Sequence, residues 1–285
     1  MKKQWSYTIL IILAGIALVI WSRVIFADSG SDITVRFLDV GQGDAILINL
    51  PKDEQVLIDG GPDDAVLSQI SKYMPPFDRK IEHIVLTHPH ADHLAGLVKV
   101  IERYDVGEVL ETGADYSSAT YKRWQDDIKS KNIPDREIRQ SDEFQWGPIK
   151  FEVLWPTKSS ASTSGESAIN NTSVVGRLVY GQSEVMLTGD AEKEVQENLC
   201  KIDKSKLVSD VLKVAHHGSN NGADECFLQA VEAKTAVISV GRDNKFGHPH
   251  ADALKLISKY VYKILRTDEE GTISCEMSET TVSCK

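Results

Sequence analysis

Apolar residues recur along this chain with two periods. From Ile33 the pattern alternates. Ile33-Thr34-Val35-Arg36-Phe37-Leu38-Asp39-Val40 reads as a half-buried strand. The turn Gly41-Gln42-Gly43-Asp44 leads into Ala45–Leu50, and a second turn, Pro51–Glu54, into Gln55–Asp59, which Gly60-Gly61-Pro62 stops. Three strands joined so tightly predict an antiparallel meander. Helical spacing follows from about Asp64 to Tyr73 and ends at Pro75-Pro76. Ile81–Leu86 is a short, β-branched-rich run, a buried strand, and Leu94–Ile101 starts a helix. A strand near Glu108–Glu111 and an amphipathic helix near Ser117–Lys131 continue the alternation.

The second half repeats the style. Strands return from Asp142 to Tyr180, interrupted at Ser159–Ser167 by a Ser/Thr/Ala/Gly-rich surface loop. Val174–Val179 and Glu184–Leu187 form a hairpin around Gly181-Gln182, then a helix runs from about Ala191 to Leu199. Strand Val211–Ala215, helix Glu225–Val231, strand Ala236–Val240 and helix Ala251–Tyr260 follow. Lys263–Cys284 reads as a closing β-hairpin. No repeat of fixed period is present. Strand runs with interleaved helices, twice over, predict an α/β fold of two sheets packed face to face with helices outside.

The first 27 residues stand apart. Lys2 and Lys3 precede an apolar run from Tyr7 to Ile20, extended by Trp21 and Val24–Ala27. A positive start and an apolar stretch predict a signal anchor or a signal peptide. The unbroken run is shorter than the roughly 20 residues that span a bilayer, and Ile25-Phe26-Ala27 is a tolerable cleavage site. Positive-inside logic puts the rest outside the cytoplasm, anchored in the membrane or secreted. Past the polar linker Asp28–Asp32, residues 28–285 are expected to form one domain.

Composition adds two constraints. The formal net charge of -10 disfavours non-specific nucleic-acid binding, so an anionic substrate needs a locally basic or metal-lined cleft. Of the four cysteines, Cys275 and Cys284 flank a short polar segment and could pair. Cys200 and Cys226 fall in predicted helices, where ordinary buried thiols fit at least as well.

The chemistry concentrates in Thr87-His88-Pro89-His90-Ala91-Asp92-His93, on a strand-to-helix turn. Imidazole nitrogen with carboxylate oxygen suits zinc, manganese or iron. His88 and His90 can point to one side of the extended segment, and Asp92 and His93 can reach back from the helix start. Asp190 and His216 end two later strands and His248 follows a fourth. A central carboxylate such as Asp190 could bridge two metals.

These stretches resemble the metallo-β-lactamase superfamily: H-x-H-x-D-H at 88–93, Gly-Asp at 189–190 and the strand-end His216. More closely, FLDVGQGDAILI (37–48), LIDGG (57–61), LTHPHADHLAGL (86–97), LTGD (187–190), LKVAHHGS (212–219) and FGHP (246–249) look like the extracellular metallo-β-lactamase domain of ComEC competence proteins, here without the channel portion. The resemblance implies a four-layer αβ/βα sandwich with one or two divalent metal ions, zinc or manganese, and no nucleotide cofactor. It implies His88, His90 and Asp190 for one metal, and Asp92, His93, Asp190 and His216 for a second. Asp59, and Asp44 with it, would support the site, and His217 would contact substrate. Many members carry a further His where this chain has Asn170-Asn171. An amide is a weaker ligand, so either Asn binds metal, orients substrate or forms a turn.

A bound divalent ion lowers the pKa of its water to about 7 and so supplies hydroxide at neutral pH. Asp92 would ligate, accept a proton, or both. His248 would protonate the leaving oxygen or clamp a phosphate, and Ser219 would line an anion pocket. The expected activity is hydrolysis of a phosphodiester, either DNA or a component of the envelope. Hydrolysis of a lactam, lactone or thioester is the second reading, and a non-catalytic surface binding protein with a degenerate site the third.

Overall fold

The computed structural model describes residues 12–16, 33–157 and 166–285. The chain divides into two units, Met1–Ser31 and Asp32–Lys285. In the first, residues 12–16 are helical, and the rest of the expected anchor lies outside the described residues, as does most of the Ser159–Ser167 loop. Among the described residues no helix is long and apolar enough to cross a membrane.

Among its described residues the second unit carries fifteen strands. They are Ile33–Phe37 (β1), Ile46–Leu50 (β2), Glu54–Ile58 (β3), Lys80–Leu86 (β4), Asp105–Glu111 (β5), Asp135–Glu137 (β6), Glu143–Trp146 (β7) and Ile149–Trp155 (β8). Then come Val175–Tyr180 (β9), Ser183–Leu187 (β10), Val211–Lys213 (β11), Thr235–Ile238 (β12), Lys263–Arg266 (β13), Ile273–Met277 (β14) and Val282–Cys284 (β15). One sheet runs β15-β14-β1-β2-β3-β4-β5-β6 and the other β13-β12-β11-β10-β9-β8-β7. Each is antiparallel at one end and parallel at the other. In the first, β1 to β3 form the expected meander and β3 to β6 run parallel. In the second, β10 to β13 run parallel.

The alternation in β1 sends Ile33, Val35 and Phe37 between the sheets, where they meet Phe151, Val185, Val211 and Val237 of the facing sheet. Strand β4 is apolar on consecutive positions because both its faces are covered. Val85 joins the inter-sheet core, while Ile84 and Leu86 pack under helices on the outer face. Those helices are Ala65–Tyr73 (α1), Ala91–Arg103 (α2) and Ala119–Lys131 (α3). Ser118 caps α3 by accepting from the Tyr121 amide, and α3 buries Tyr121, Trp124 and Ile128 at helical spacing. Trp124 is fully buried, and its truncation to Ala should cost about 3–5 kcal/mol.

Glu166–Asn170 (α4), Lys193–Leu199 (α5), Glu225–Val231 (α6), Ala251–Ile257 (α7) and Thr267–Glu270 (α8) complete the helices. Val195 and Leu199 of α5, Phe227 and Val231 of α6 and Ile257 of α7 cover the second sheet's outer face. The layers are therefore helix, sheet, sheet, helix, as expected.

Two readings change. Lys263–Cys284 is not one hairpin. Strand β13 extends the second sheet, parallel to β12, and the chain then crosses to the first, where β14 pairs with β1 and only β14–β15 is a hairpin. The alternation of Ile273, Cys275 and Met277 drives this, since it fits the inter-sheet core beside β1. Both cysteine pairs are disulfides, Cys275–Cys284 and Cys200–Cys226. The second pair is not buried. Cys226 is exposed on α6 beside the end of α5, where the two helices pack together.

Candidate metal centre

The parallel strands aim their carboxyl ends at one edge, where open α/β sheets place their sites. Asp59 follows β3, the His88–His93 cluster follows β4, Asp190 follows β10 and the His216–His217 pair follows β11. Two glycines let these loops meet. A Cβ on Gly96 of α2 would lie 1.8 Å from the Gly60 carbonyl oxygen, and one on Gly43 would lie 2.2 Å from that of Asp92. Through those gaps run three backbone bonds: Gly60 to His93, Gly96 to Gly61 and Asp44 to Asp92. The sequence FLDVGQGD therefore works as a close-packing element against the histidine turn.

Asp92, His93, Asp190 and His217 each offer an atom within 4.8 Å of the others. His93 is fully buried. Its Nδ1 donates to Asp59 at 2.7 Å, so its Nε2 faces Asp190, 3.3 Å away. Asp59 is in turn fixed by the Thr87 amide at 2.8 Å and the Thr87 hydroxyl at 2.7 Å. His217 repeats the device. Its Nδ1 donates to the Ser239 carbonyl at 2.8 Å, and its Nε2 faces Asp92 at 3.4 Å and Asp190 at 3.6 Å. A ring nitrogen aimed by a partner on the opposite nitrogen is the arrangement that metal-ligating histidines use.

His88 and His90 form the other arm. His88 Nε2 lies 3.1 Å from His90 Nδ1, while the Thr87 and Ser173 hydroxyls approach His88 Nδ1 at 3.2 and 3.3 Å. Ser173 also accepts from the Asp190 amide at 3.0 Å, linking the arms. Asn170 is buried and donates to Glu192 at 3.0 Å, leaving its Oδ1 without a partner. Asn171 turns away, bonded to Glu194 and the Glu192 amide. Ser219 is held in the turn after the histidines and does not reach the cleft.

Electrostatics separate the arms. Burial pushes His93 and His217 down, but the Asp190 carboxylate and, respectively, those of Asp59 and Asp92 outweigh it and raise both. Burial pushes Asp190 and Asp92 up, but His217 and His93 hold both well below the carboxylate range. His88 and His90 are lowered, first by burial and then by the charge of His93. Asp59 is raised by burial.

One expectation changes here. His217, not His216, sits in the convergent group. His216 is partly exposed, with Nδ1 3.4 Å from Glu192 and Nε2 4.0 Å from Asp190, and it faces the cleft. Both residues are left-handed, with φ of 49° and 54°, so the pair departs from a regular strand end. Such strained non-glycine residues concentrate at functional sites. Lys213, within the expected strand Val211–Ala215, also belongs to the site. It is fully buried, ion-paired with Asp44 and bonded to the Gly189 carbonyl at 2.9 Å. A lysine inside the apolar run Val211–Ala215 is the signal that marks it.

The arms meet in a cleft of about 920 Å³. His248 lines it beside His216, held by Asn244, which accepts from its amide and donates to its carbonyl. Burial and the surrounding histidines push His248 down to about 4. Rings extend both arms: Tyr116 lies edge-on to His90, and half-exposed Phe246 stacks on His248.

Buried polar atoms without partners are rare. Here His93 Nε2, His217 Nε2 and Asn170 Oδ1 are all such atoms in one place. Residues 38–242 match the Metallo-beta-lactamase superfamily. The chain belongs to that superfamily. The superfamily's fold implies divalent metal ions, and the orphaned donors fit them. Curated relatives include ComE operon protein 3 of Bacillus subtilis (strain 168), 28% identical, with 95% of this chain and 36% of the relative covered. Competence protein ComA of Neisseria gonorrhoeae is 27% identical, with 85% and 32% covered. The chain thus spans about a third of the length of the curated relatives it matches. Among solved structures, the metallo-beta-lactamase fold protein YhfI from Bacillus subtilis aligns with a TM-score of 0.56 at 14% identity, over 89% of this chain and 100% of that one. That likeness speaks to the fold alone. The chain is a ComEC-like member of a hydrolase superfamily.

Proposed function

We propose that the chain is an extracytoplasmic metal-dependent phosphodiesterase acting on DNA or on a phosphodiester of the cell envelope. The observation that carries it is the convergence of imidazole and carboxylate atoms, with the Nε2 atoms of His93 and His217 lacking hydrogen-bond partners, in a cleft of about 920 Å³. Zinc or manganese would be held by Asp92, His93, Asp190 and His217, with His88 and His90 for a second ion. When bound, such an ion supplies a hydroxide nucleophile and neutralises charge on the phosphoryl oxygens.

The chain's own residues do the rest. Asp59 and the Ser239 carbonyl hold the two ring Nδ1 protons, so both Nε2 atoms are free to ligate. Asp92, held well below the usual range, is a ligand rather than a proton acceptor. His248 is neutral at pH 7, which suits hydrogen-bond donation to a phosphoryl oxygen better than proton delivery. His216, with Glu192 behind it, meets the substrate from the adjacent wall. Tyr116 and Phe246 offer ring faces to planar groups flanking the ester. Two disulfides support a location outside the cytoplasm, and the apolar N-terminal segment supports membrane attachment if it is retained.

The test loads the purified chain with zinc or manganese. It is then offered single-stranded DNA, bis-p-nitrophenyl phosphate, a phosphorylcholine ester and nitrocefin. Turnover of a phosphodiester, lost in His88→Ala and Asp190→Ala, is expected. Turnover of nitrocefin alone would transfer the site to the lactam reading.

A further inference from the structure

Lys213 is out of place by composition. It ends β11, two residues after Val211, and Val211 packs between the sheets. Lys213 therefore projects into the inter-sheet core, and it is 0% exposed. Its ammonium crosses from the second sheet to Asp44, on the turn between β1 and β2. It also donates to the Gly189 carbonyl and lies 4.0 Å from Asp190 Oδ1. Burying an ion pair costs several kcal/mol per ion, and an apolar pair of similar volume often serves stability as well or better. Stability alone does not account for it.

Its position relative to the candidate ligands does. Asp190 is split: Oδ2 faces His93 and His217, while Oδ1 faces Lys213 and has no hydrogen-bond partner. Asp44 lies behind the same imidazoles, Oδ1 3.5 Å from His217 Nδ1 and Oδ2 3.8 Å from His93 Nδ1, on the side away from their Nε2 atoms, and Lys213 ties it down. One carboxylate oxygen within reach of the centre, Asp190 Oδ1, thus faces an ammonium that Asp44 holds in place.

We propose that Lys213 sets the metal preference of the centre by keeping Asp190 Oδ1 off the ion. It leaves two imidazoles, Asp92 and one oxygen of Asp190, a balanced set that a second Asp190 oxygen would tip toward oxygen. Imidazole-rich sets suit zinc, and oxygen-rich sets suit manganese and magnesium. Lys213 is a positioning residue, and its role rests on the reading of Asp92, His93, Asp190 and His217 as ligands.

The experiment measures zinc and manganese binding to the full chain by competition, with cobalt(II) as a spectroscopic probe. In Lys213→Met the zinc-over-manganese preference should fall about tenfold or more. The visible cobalt band should weaken as that oxygen enters and the coordination number rises. Removing one partner leaves Asp44 buried without its counter-ion, and this can unfold the variant. The Asp44→Asn/Lys213→Met pair removes both charges and reads the same ratio. It should retain the shift, which comes from Asp190. A folded variant with the wild-type ratio and the wild-type cobalt spectrum would overturn the proposal and leave Lys213 a strut between sheets. A wild-type chain that binds neither metal would instead sink the reading of the ligands themselves.

Discussion

The two arms of the centre are built from the same residue types and prepared differently. On the Asp92/His93/Asp190/His217 side, each imidazole has a fixed acceptor on Nδ1 and a carboxylate facing Nε2. On the His88/His90 side, the rings contact each other and two hydroxyls, and the third position is an amide, Asn170. Burial lowers the second pair of histidines, while carboxylates raise the first. Position in a cluster is thus not enough to make a ligand. What aims the ring decides how well it binds, and only one arm has its carboxylate partners.

The largest effect should come from breaking the prepared arm. Asp190→Ala and His217→Ala should each lower phosphodiester turnover by at least about 100-fold, since even outer partners of metal ligands are worth 10–100-fold. His216→Ala should lose less than about tenfold, because its contacts are with Glu192 and the cleft. Equal losses at 216 and 217 would erase the exchange of roles between them. His88→Ala, read by metal analysis, should remove no more than one ion and leave the other arm loaded. Loss of all metal would show that the arms bind as a unit.

A gentler change sharpens the same contrast. Asp59→Asn keeps the shape but replaces the carboxylate behind His93. Metal affinity should fall about 10–100-fold in a titration, with the protein still folded. The dependence on pH has a definite sign. His93 and His217 hold protons above their ordinary range, and a metal must displace those protons. Affinity at this arm should therefore fall as pH drops. A flat affinity between pH 6 and 8 would contradict the raised histidines.

Much of this was legible in the chain. The H-x-H-x-D-H string is contiguous, because one tight turn can present four ligands, and the alternating runs named both sheets. The later partners were harder. Asp190 ends a strand visibly, but the choice between His216 and His217 depends on two left-handed residues that no periodicity encodes. Lys213 and Ser173 act across the sheets, through contacts whose partners lie far away in sequence. The strand β13 misled for a similar reason: its pairing is set by which sheet has a free edge, not by its own pattern. Cys200 and Cys226 each sit in helical surroundings, and only the packing of α5 against α6 brings them together.

The carboxylate that the weaker arm does not use gives a contrast in stability, with no change expected in metal loading. Glu111 ends β5, next to the strand that carries His88, and it is buried. It turns away from the histidines and accepts from Trp124 Nε1 at 3.0 Å and the Tyr121 hydroxyl at 3.3 Å. Burial, then the charge of Asp135, pushes it up to about 7. A carboxyl raised on folding binds its proton more tightly in the folded chain. Its stabilising contribution is complete below the unfolded value of 4.5 and is lost as pH rises through about 7. Glu111→Gln keeps a neutral group in the socket, so urea unfolding should show the variant gaining on the wild type by roughly 3 kcal/mol between pH 4 and pH 8. A constant difference across that window would mean that Glu111 titrates in the folded chain as in the unfolded one and is ionised at neutral pH. The weaker arm would then have a charged carboxylate within one strand of its histidines, and the contrast between the arms would shrink accordingly.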